Sequence, residues 1–284
     1  MRGGSQARLV QGWDDRHYVA KFVGNPQGHR TLVNEWIAQI ALRELGISTP
    51  ELRVLRLPES FRDEALCFEV GNKKMPVTGD WHLGSLCPAN PETQAIFDFL
   101  PRRLMNKIVN LDDFAKIFVF DRWTYQTDTR QAVFVREPSS GAQSQFRAYF
   151  IDQGAVFSGS SWELHEAAGH GLYADRDVYS LVNMQKICEE TVSQIEALSE
   201  EKMSSALTTI PQSWLKPGDS EALQELIRSL FRRRNQLRRI VTSQLTALRS
   251  KGYSAYNHAQ TSMLTTIKKP IAPTSPLKAT VHVA

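Results

Sequence analysis

Two aspartates, Asp128 and Asp152, bracket a segment that reads as a β-hairpin. Asp128 lies in Gln126-Thr127-Asp128-Thr129-Arg130-Gln131, ahead of a strand predicted over 132–137. Asp152 lies in Phe150-Ile151-Asp152-Gln153-Gly154, behind a strand predicted over 145–151, and Pro138-Ser139-Ser140-Gly141 supplies the turn. The entry of one hairpin strand and the exit of the next sit side by side, ~4.8 Å apart. Two carboxylates 24 positions apart are thus brought to one end of one ladder. Both side chains could serve one metal-phosphate site, and because like charges at that range raise each other's pKa unless a cation lies between them, a metal or a positive side chain is expected as part of it. The competing reading is a pair of loop-end aspartates capping turns beside Thr and Gly.

Three further features bear on that choice. Lys21 lies in a strand predicted over 17–23 and shares a face with Val19 and Val23. An ammonium among aliphatic neighbours needs an anionic partner, and phosphate would serve; an edge-strand lysine reaching to water is the alternative. Gly3-Gly4-Ser5 precedes that strand, and small residues leave backbone N–H groups free to face an anion. Glu35 lies on a helix predicted over 31–45 and closed by Gly46. An acid on the helix after such a lysine can clamp it, as in protein kinases. On the helical wheel, however, Glu35 projects away from the Trp36/Ile40 centre of the apolar stripe, so a solvated glutamate competes.

The elements that must position these residues read as an α+β chain. Strands are predicted over 52–57 and 65–70, followed by a Gly- and Pro-rich connection from Gly71 to Pro91. A helix over 96–108 is broken by Pro101; Asn110 is placed to N-cap a helix over 111–125. Further helices are predicted over 178–198, 200–207 and 220–248. Beyond Gly252 the Ser/Thr/Ala/Pro-rich sequence reads as a flexible tail.

The chain has 284 residues, 42% hydrophobic and 23% charged, which excludes collagen-like, low-complexity and wholly disordered classes. No apolar run reaches the ~18–20 residues of a membrane-spanning helix, and Met1–Gln6 lacks a signal-like apolar core, so a cytoplasmic protein without a membrane partner is expected. Cys67, Cys87 and Cys188 have neither disulfide-framework nor zinc spacing. The net charge of +4 resides in Lys251, Lys268, Lys269 and Lys278, leaving residues 1–250 with 30 basic and 30 acidic side chains. The basic stretch Phe231-Arg232-Arg233-Arg234 with Arg238-Arg239 reads as a helix face balanced by Glu221 and Glu225, not as a nucleic-acid surface.

Asn34-Glu35-Trp36 running into Leu42-Arg43-Glu44-Leu45-Gly46-Ile47, then Thr49-Pro50-Glu51, resembles the first helix and following strand of HipA-like kinases. Phe120 to Asp128 resembles that family's catalytic stretch, and Ile151-Asp152-Gln153-Gly154 its metal-binding motif. Arg2-Gly3-Gly4-Ser5-Gln6-Ala7, Asp98-Phe99-Leu100-Pro101 and Gly171-Leu172-Tyr173 resemble a shorter bacterial branch. The resemblance spans roughly residues 2 to 240 and implies a two-lobed protein-kinase-like fold with ATP and Mg²⁺ between the lobes. Residues 1–75 would form the nucleotide-covering N-lobe and 76–95 the linker, where His82, Gly84 and Ser85 would lie near the base or form a plain turn. The helical C-lobe would span 96–250, and 251–284 would be a flexible basic tail. Carried over by position, Asp128 would deprotonate the acceptor, Asp152 would hold Mg²⁺, Lys21 would contact the phosphates with Glu35 behind it, and Gly3, Gly4, Ser5 and Gln6 would cover them. Gln131 would stand in for the family's metal-binding asparagine.

The sequence departs from the family in three places. Gln126-Thr127-Asp128 replaces Asn-Thr-Asp, the loop after Asp128 is about two residues shorter, and the chain starts at the glycine loop without the strand that normally precedes it. The leading expectation is an ATP- and Mg²⁺-dependent kinase acting on Ser or Thr of a protein. The alternatives are a nucleotide-binding pseudokinase or scaffold, and a phosphoinositide or small-molecule kinase on the same fold. Asp121-Arg122 mimics the start of lipid-kinase catalytic loops, but Asp121 falls on an apolar helix face and is expected to be a buried, paired acid. His165 and His170 are assigned no role.

Overall fold

The computed structural model describes residues 4–57, 66–138, 144–164, 171–250 and 277–283. Gly3, the turn residues 139–141, His165, His170 and residues 251–276 lie outside the described residues. Strands β1 (Arg8–Gly12) and β2 (His17–Lys21) form a hairpin, followed by helix α1 (Arg30–Glu44) and strand β3 (Leu52–Arg56). Strands β4 (Cys67–Val70) and β5 (Lys73–Pro76) pair as a separate ribbon, and β6 (Trp81–Leu86) returns to the first sheet. That sheet closes as a five-stranded barrel in the order β1-β10-β3-β6-β2, where β10 is Leu277–Val283. A three-stranded sheet follows, with β7 (Ile96–Phe97), β8 (Gln131–Glu137) and β9 (Gln145–Ile151) in that order. The helices after α1 are α2 (Arg102–Met105), α3 (Asp112–Thr124), α4 (Met184–Glu196), α5 (Glu200–Ser205) and α6 (Asp219–Ser250).

Several expectations are corrected. Residues 76–95 are not simply a linker: β6 pairs with both β2 and β3 in the barrel. His82 is fully buried there and accepts a hydrogen bond from the Val23 amide at Nδ1, 3.1 Å. Gly84 is required inside the strand, because a Cβ would come within 2.5 Å of Leu55 Cδ1. Residues 277–283 are not a structureless tail but a barrel strand. The segment 96–101 is not helical; Ile96–Phe97 is a strand paired with β8. Asn110 does not cap α3: its Oδ1 accepts from Ala148 N at 2.9 Å, and its Nδ2 donates to Ala148 O at 2.9 Å.

Two separate apolar clusters fill these elements. Val10, Tyr18, Ala20, Phe22, Leu55 and Leu57 belong to the small one, with Leu66, Phe68 and Val77 from the ribbon side. The larger cluster joins α1, α3, α4, α6 and the β8–β9 hairpin. Helix α4 has a conventional amphipathic face, with Met184, Ile187, Cys188, Thr191, Val192 and Ile195 inward. Helices α1 and α3 are buried on nearly all sides, which leaves room for polar groups that face other protein groups instead of water.

Candidate active site

The hairpin pairs as expected, with Gln131 opposite Ile151 and Val133 opposite Tyr149. Asp128, three residues before β8, and Asp152, one residue after β9, therefore meet at one cleft of about 240 Å³. Its lining also includes Gln27 in the turn before α1, Thr31 in its first turn, and Gly154, Ala155, Gly159 and Ser160 beyond β9. Thr31 brings the amino end of α1, where backbone N–H groups and the helix dipole favour an anion.

Lys21, the last residue of β2, spans from the barrel to the hairpin. Its Nζ donates to Glu35 Oε1 of α1 and to Asp152 Oδ1, the latter at 2.8 Å. The apolar-stripe reading of Glu35 is thereby overturned. Glu35 is 4% exposed while Trp36 and Ile40 are only partly buried. With α1 enclosed from several sides, no single stripe marks its inner face.

One cation between two carboxylates sets the local electrostatics. Burial works against the charged Lys21, yet the charges of Glu35 and Asp152 outweigh it and hold the ammonium well above its ordinary pKa. Burial pushes the enclosed Glu35 upward, with Lys21 pulling it back only in part. Burial also opposes ionisation of Asp152, but the Lys21 charge and hydrogen bond prevail and hold it below the usual carboxylate range. A depressed carboxylate pKa contributes stability above its unfolded value that is lost as pH falls through the folded one. Asp152→Asn is accordingly expected to be more destabilising at about pH 7 than at about pH 2, measured by urea melts at both.

Asp152 has φ +60°, a left-handed conformation that costs a non-glycine residue roughly 1–2 kcal/mol. Gln131 Nε2 donates to Asp152 Oδ2 at 3.2 Å, so both carboxylate oxygens are oriented by side chains. Gly154 follows, and any Cβ there would lie 3.3 Å from Thr31 Cβ and 3.4 Å from Glu35 Oε1. Glycine lets this loop close on α1 at the cleft.

The glycine loop divides its work. A Cβ at Gly4 would meet Gln27 Nε2 at 2.8 Å, which sets the loop directly against a cleft residue, and Ser5 is buried. Gln6 turns the other way: its amide donates to Glu69 O at 2.6 Å and accepts from Glu69 N at 2.8 Å. It tethers the loop to β4 instead of facing the cleft.

The loop carrying Asp128 is fixed partly by residues the sequence marked, Asp121 and Gly171, and partly by residues it gave no role, Tyr125 and Arg130 among them. Helix α3 ends at Tyr125 with φ +52°, and the Arg233 guanidinium stacks 3.5 Å from its ring centroid. Thr127 N donates to Ala155 O at 3.1 Å, and Phe157 N to Thr124 O at 2.6 Å, tying the two cleft loops together. Gly171 N donates to Asp128 O at 2.9 Å and Arg130 N to Leu172 O at 3.1 Å, which explains the Gly171-Leu172-Tyr173 segment. Arg130 is 1% exposed; it pairs with Asp121 through two nitrogens and donates to Gln153 Oε1 at 2.6 Å. Asp121 is therefore a buried structural acid and not a catalytic-loop start. Asp128 itself is exposed, with Oδ1 accepting from Thr129 N at 2.7 Å. Gln126 is 2% exposed, its side-chain amide has no hydrogen-bond partner among the described residues, and it is not among the residues lining the cleft.

Asn34 organises the segment after Asp152. Its Nδ2 donates to the carbonyls of Gly154, Val156 and Gly159 at 2.9, 3.0 and 2.9 Å, while Oδ1 accepts from Trp162 Nε1 at 2.7 Å. With two hydrogens for three acceptors, one bond is shared. Asn34→Ala strands these groups in a buried site, an expected loss on the order of 3 kcal/mol. Hydrogen exchange should show the amides of 154–162 losing protection more than those of α4.

Most arginines of the last helix are engaged within the chain. Arg228 and Arg232 bond Glu225, Arg238 bonds Glu196, and Arg234 donates to Leu198 O. Among the described residues no helix is long and apolar enough to cross a membrane. Burial pushes the Cys87 and Cys188 thiols up to about 11 and about 12, away from nucleophilic chemistry at neutral pH.

A lysine joined to a helix glutamate and a strand-end aspartate, with a second aspartate on the same cleft, agrees with the kinase class. The model of the HipA-like kinase family matches residues 1–246, and the chain belongs to that family. No curated protein and no solved structure gives a match.

Proposed function

We propose that this chain is an ATP- and Mg²⁺-dependent phosphotransferase acting on a Ser or Thr hydroxyl of a protein. The observation that carries this reading is the shared cleft of Asp128 and Asp152, joined to the barrel through Lys21. Phosphoryl transfer asks a protein chiefly for positioning and charge neutralisation. Lys21, fixed by Glu35, would bind phosphate oxygens; the backbone at Gly3, Gly4 and Ser5 would cover them. Asp128, exposed and outside the Lys21 network, would accept the proton of the attacking hydroxyl at its carboxylate. The nucleotide would lie where Lys21 of the barrel meets Asp152 at the end of the hairpin.

The donor set fits magnesium. Among the described residues no cluster of three or more His, Cys, Asp or Glu forms a protein cage. Mg²⁺ is ordinarily held by one or two carboxylates with substrate phosphates and water. Asp152 would hold it, and the amide of Gln131 beside that carboxylate would supply an oxygen in place of asparagine. When bound, the ion would neutralise charge on the phosphates.

The pseudokinase reading is favoured by Gln126, whose buried amide leaves the cleft without the contribution of the family's asparagine. A γ-phosphate transfer and autophosphorylation assay on the intact chain, Asp128→Ala and Asp152→Ala decides between them. Transfer by the intact chain alone supports the kinase. Equal transfer by all three rejects the assigned residues, and no transfer with a nucleotide-dependent rise in Tm establishes the pseudokinase.

A further inference from the structure

We propose that the C-terminal strand β10 is a detachable stave of the barrel that holds β1, and with it the glycine loop, in the nucleotide-binding position. This rests on the proposed nucleotide site and adds a means of controlling it. Strand β1 begins two residues after Gln6. One of its edges pairs with β2 through Arg8↔Ala20 to Gln11↔His17. Among the described residues its other edge pairs with β10, in parallel, at Val10↔Leu277 and Gly12↔Val281, with the register shifting in between. The far edge of β10 meets β3 at His282↔Arg56 and Val283↔Leu55.

The topology makes β10 separable. Without it the remaining order is β1-β2-β6-β3, an open sheet in which every strand keeps a partner. Strand β1 then becomes an edge, and the loop feeding it loses the support of one of two neighbours. All other barrel strands lie within residues 8–86, whereas β10 arrives through residues 251–276 after α6. The joins of β10 are short on both edges, carry a register irregularity on the β1 side and close over a long separation in sequence, which costs loop-closure entropy. In sequence, 277–283 alternates Leu, Ala, Val and Val with Lys, Thr and His, the two-residue period of a strand.

The test compares the full chain, a variant ending at residue 276, and full-length Thr280→Pro, whose proline removes an N–H from the middle of β10. A synthetic peptide of residues 277–284 is titrated into the truncated variant. Hydrogen exchange at 8–12 reports strand docking independently of nucleotide, with α3 amides reporting the global fold. Both variants are expected to keep α3 protected while amides of 8–12 exchange at least ~10-fold faster, and Mg²⁺-ATP affinity to fall about 10-fold as the competent loop population falls. The peptide should restore protection and affinity together, saturably. Unchanged exchange at 8–12, loss of protection in α3 of the truncated variant, or a peptide that restores nothing would each overturn the proposal. If the intact chain binds no ATP, the nucleotide reading fails on its own, and the exchange arm still decides whether β10 holds β1.

Discussion

Asp128→Asn is expected to lower phosphotransfer by about 10²–10⁴-fold, the usual contribution of a general base, with little change in stability or nucleotide affinity. The substitution is well isolated. Asp128 is exposed, and asparagine keeps an oxygen able to accept the Thr129 N–H now bonded at 2.7 Å. Stability should stay within ~0.5 kcal/mol, as for surface substitutions away from special contacts. Asp128 also lies outside the Lys21, Glu35 and Asp152 network, so phosphate binding is expected to survive. Turnover, calorimetric Mg²⁺-ATP affinity and thermal melting of the variant check this together. A variant that transfers phosphate at the parental rate would remove Asp128 from the reaction.

Arg130→Met is expected to cost about 3–5 kcal/mol, the penalty for leaving a buried carboxylate without its partner. Asp121 and Arg130 both have 0% side-chain exposure, and burial already pushes Asp121 up, opposed by the Arg130 charge. Arg130 also holds Gln153 at 2.6 Å, so it braces the residue after Asp152 as well as its own loop. Denaturant melts should place the double variant Asp121→Leu/Arg130→Met well above the single one, since replacing both charges removes the unpaired ion. Turnover should stay low in the double variant, because the contact to Gln153 is still missing. Full recovery of turnover would show that Arg130 only stabilises the fold.

The hairpin was legible because its signals are local: alternating strands, a Pro-Ser-Ser-Gly turn, and an aspartate at each outer end. The Lys21–Glu35 pair was legible only through family resemblance, since burial of α1 on several sides erases the stripe a wheel relies on. Strand β6 resembled a linker because His82, Gly84 and Ser85 are unusual in a strand; packing of Leu55 over Gly84 supplies the reason. Asp121 announced a partner, being an acid on an apolar face, but which cation would reach it depended on the loop's path. Asn110 and Asn34 carry no such mark, because an amide's buried partners come from distant backbone carbonyls. Strand β10 was masked by its Ser/Thr/Pro-rich surroundings and by pairing with a strand over 260 residues away in sequence.

The central claim is that one cleft, between Lys21, Asp128 and Asp152, serves the transferred phosphate. Its most direct test is a crystal structure of the intact chain with a non-hydrolysable ATP analogue and Mn²⁺ as an anomalous reporter in place of Mg²⁺. The expected result is an anomalous peak against the Asp152 carboxylate at ~2.0–2.3 Å, with the phosphates beside Lys21 and the terminal one facing Asp128. A metal bound away from Asp152, or phosphates lodged elsewhere on the molecule, would contradict it.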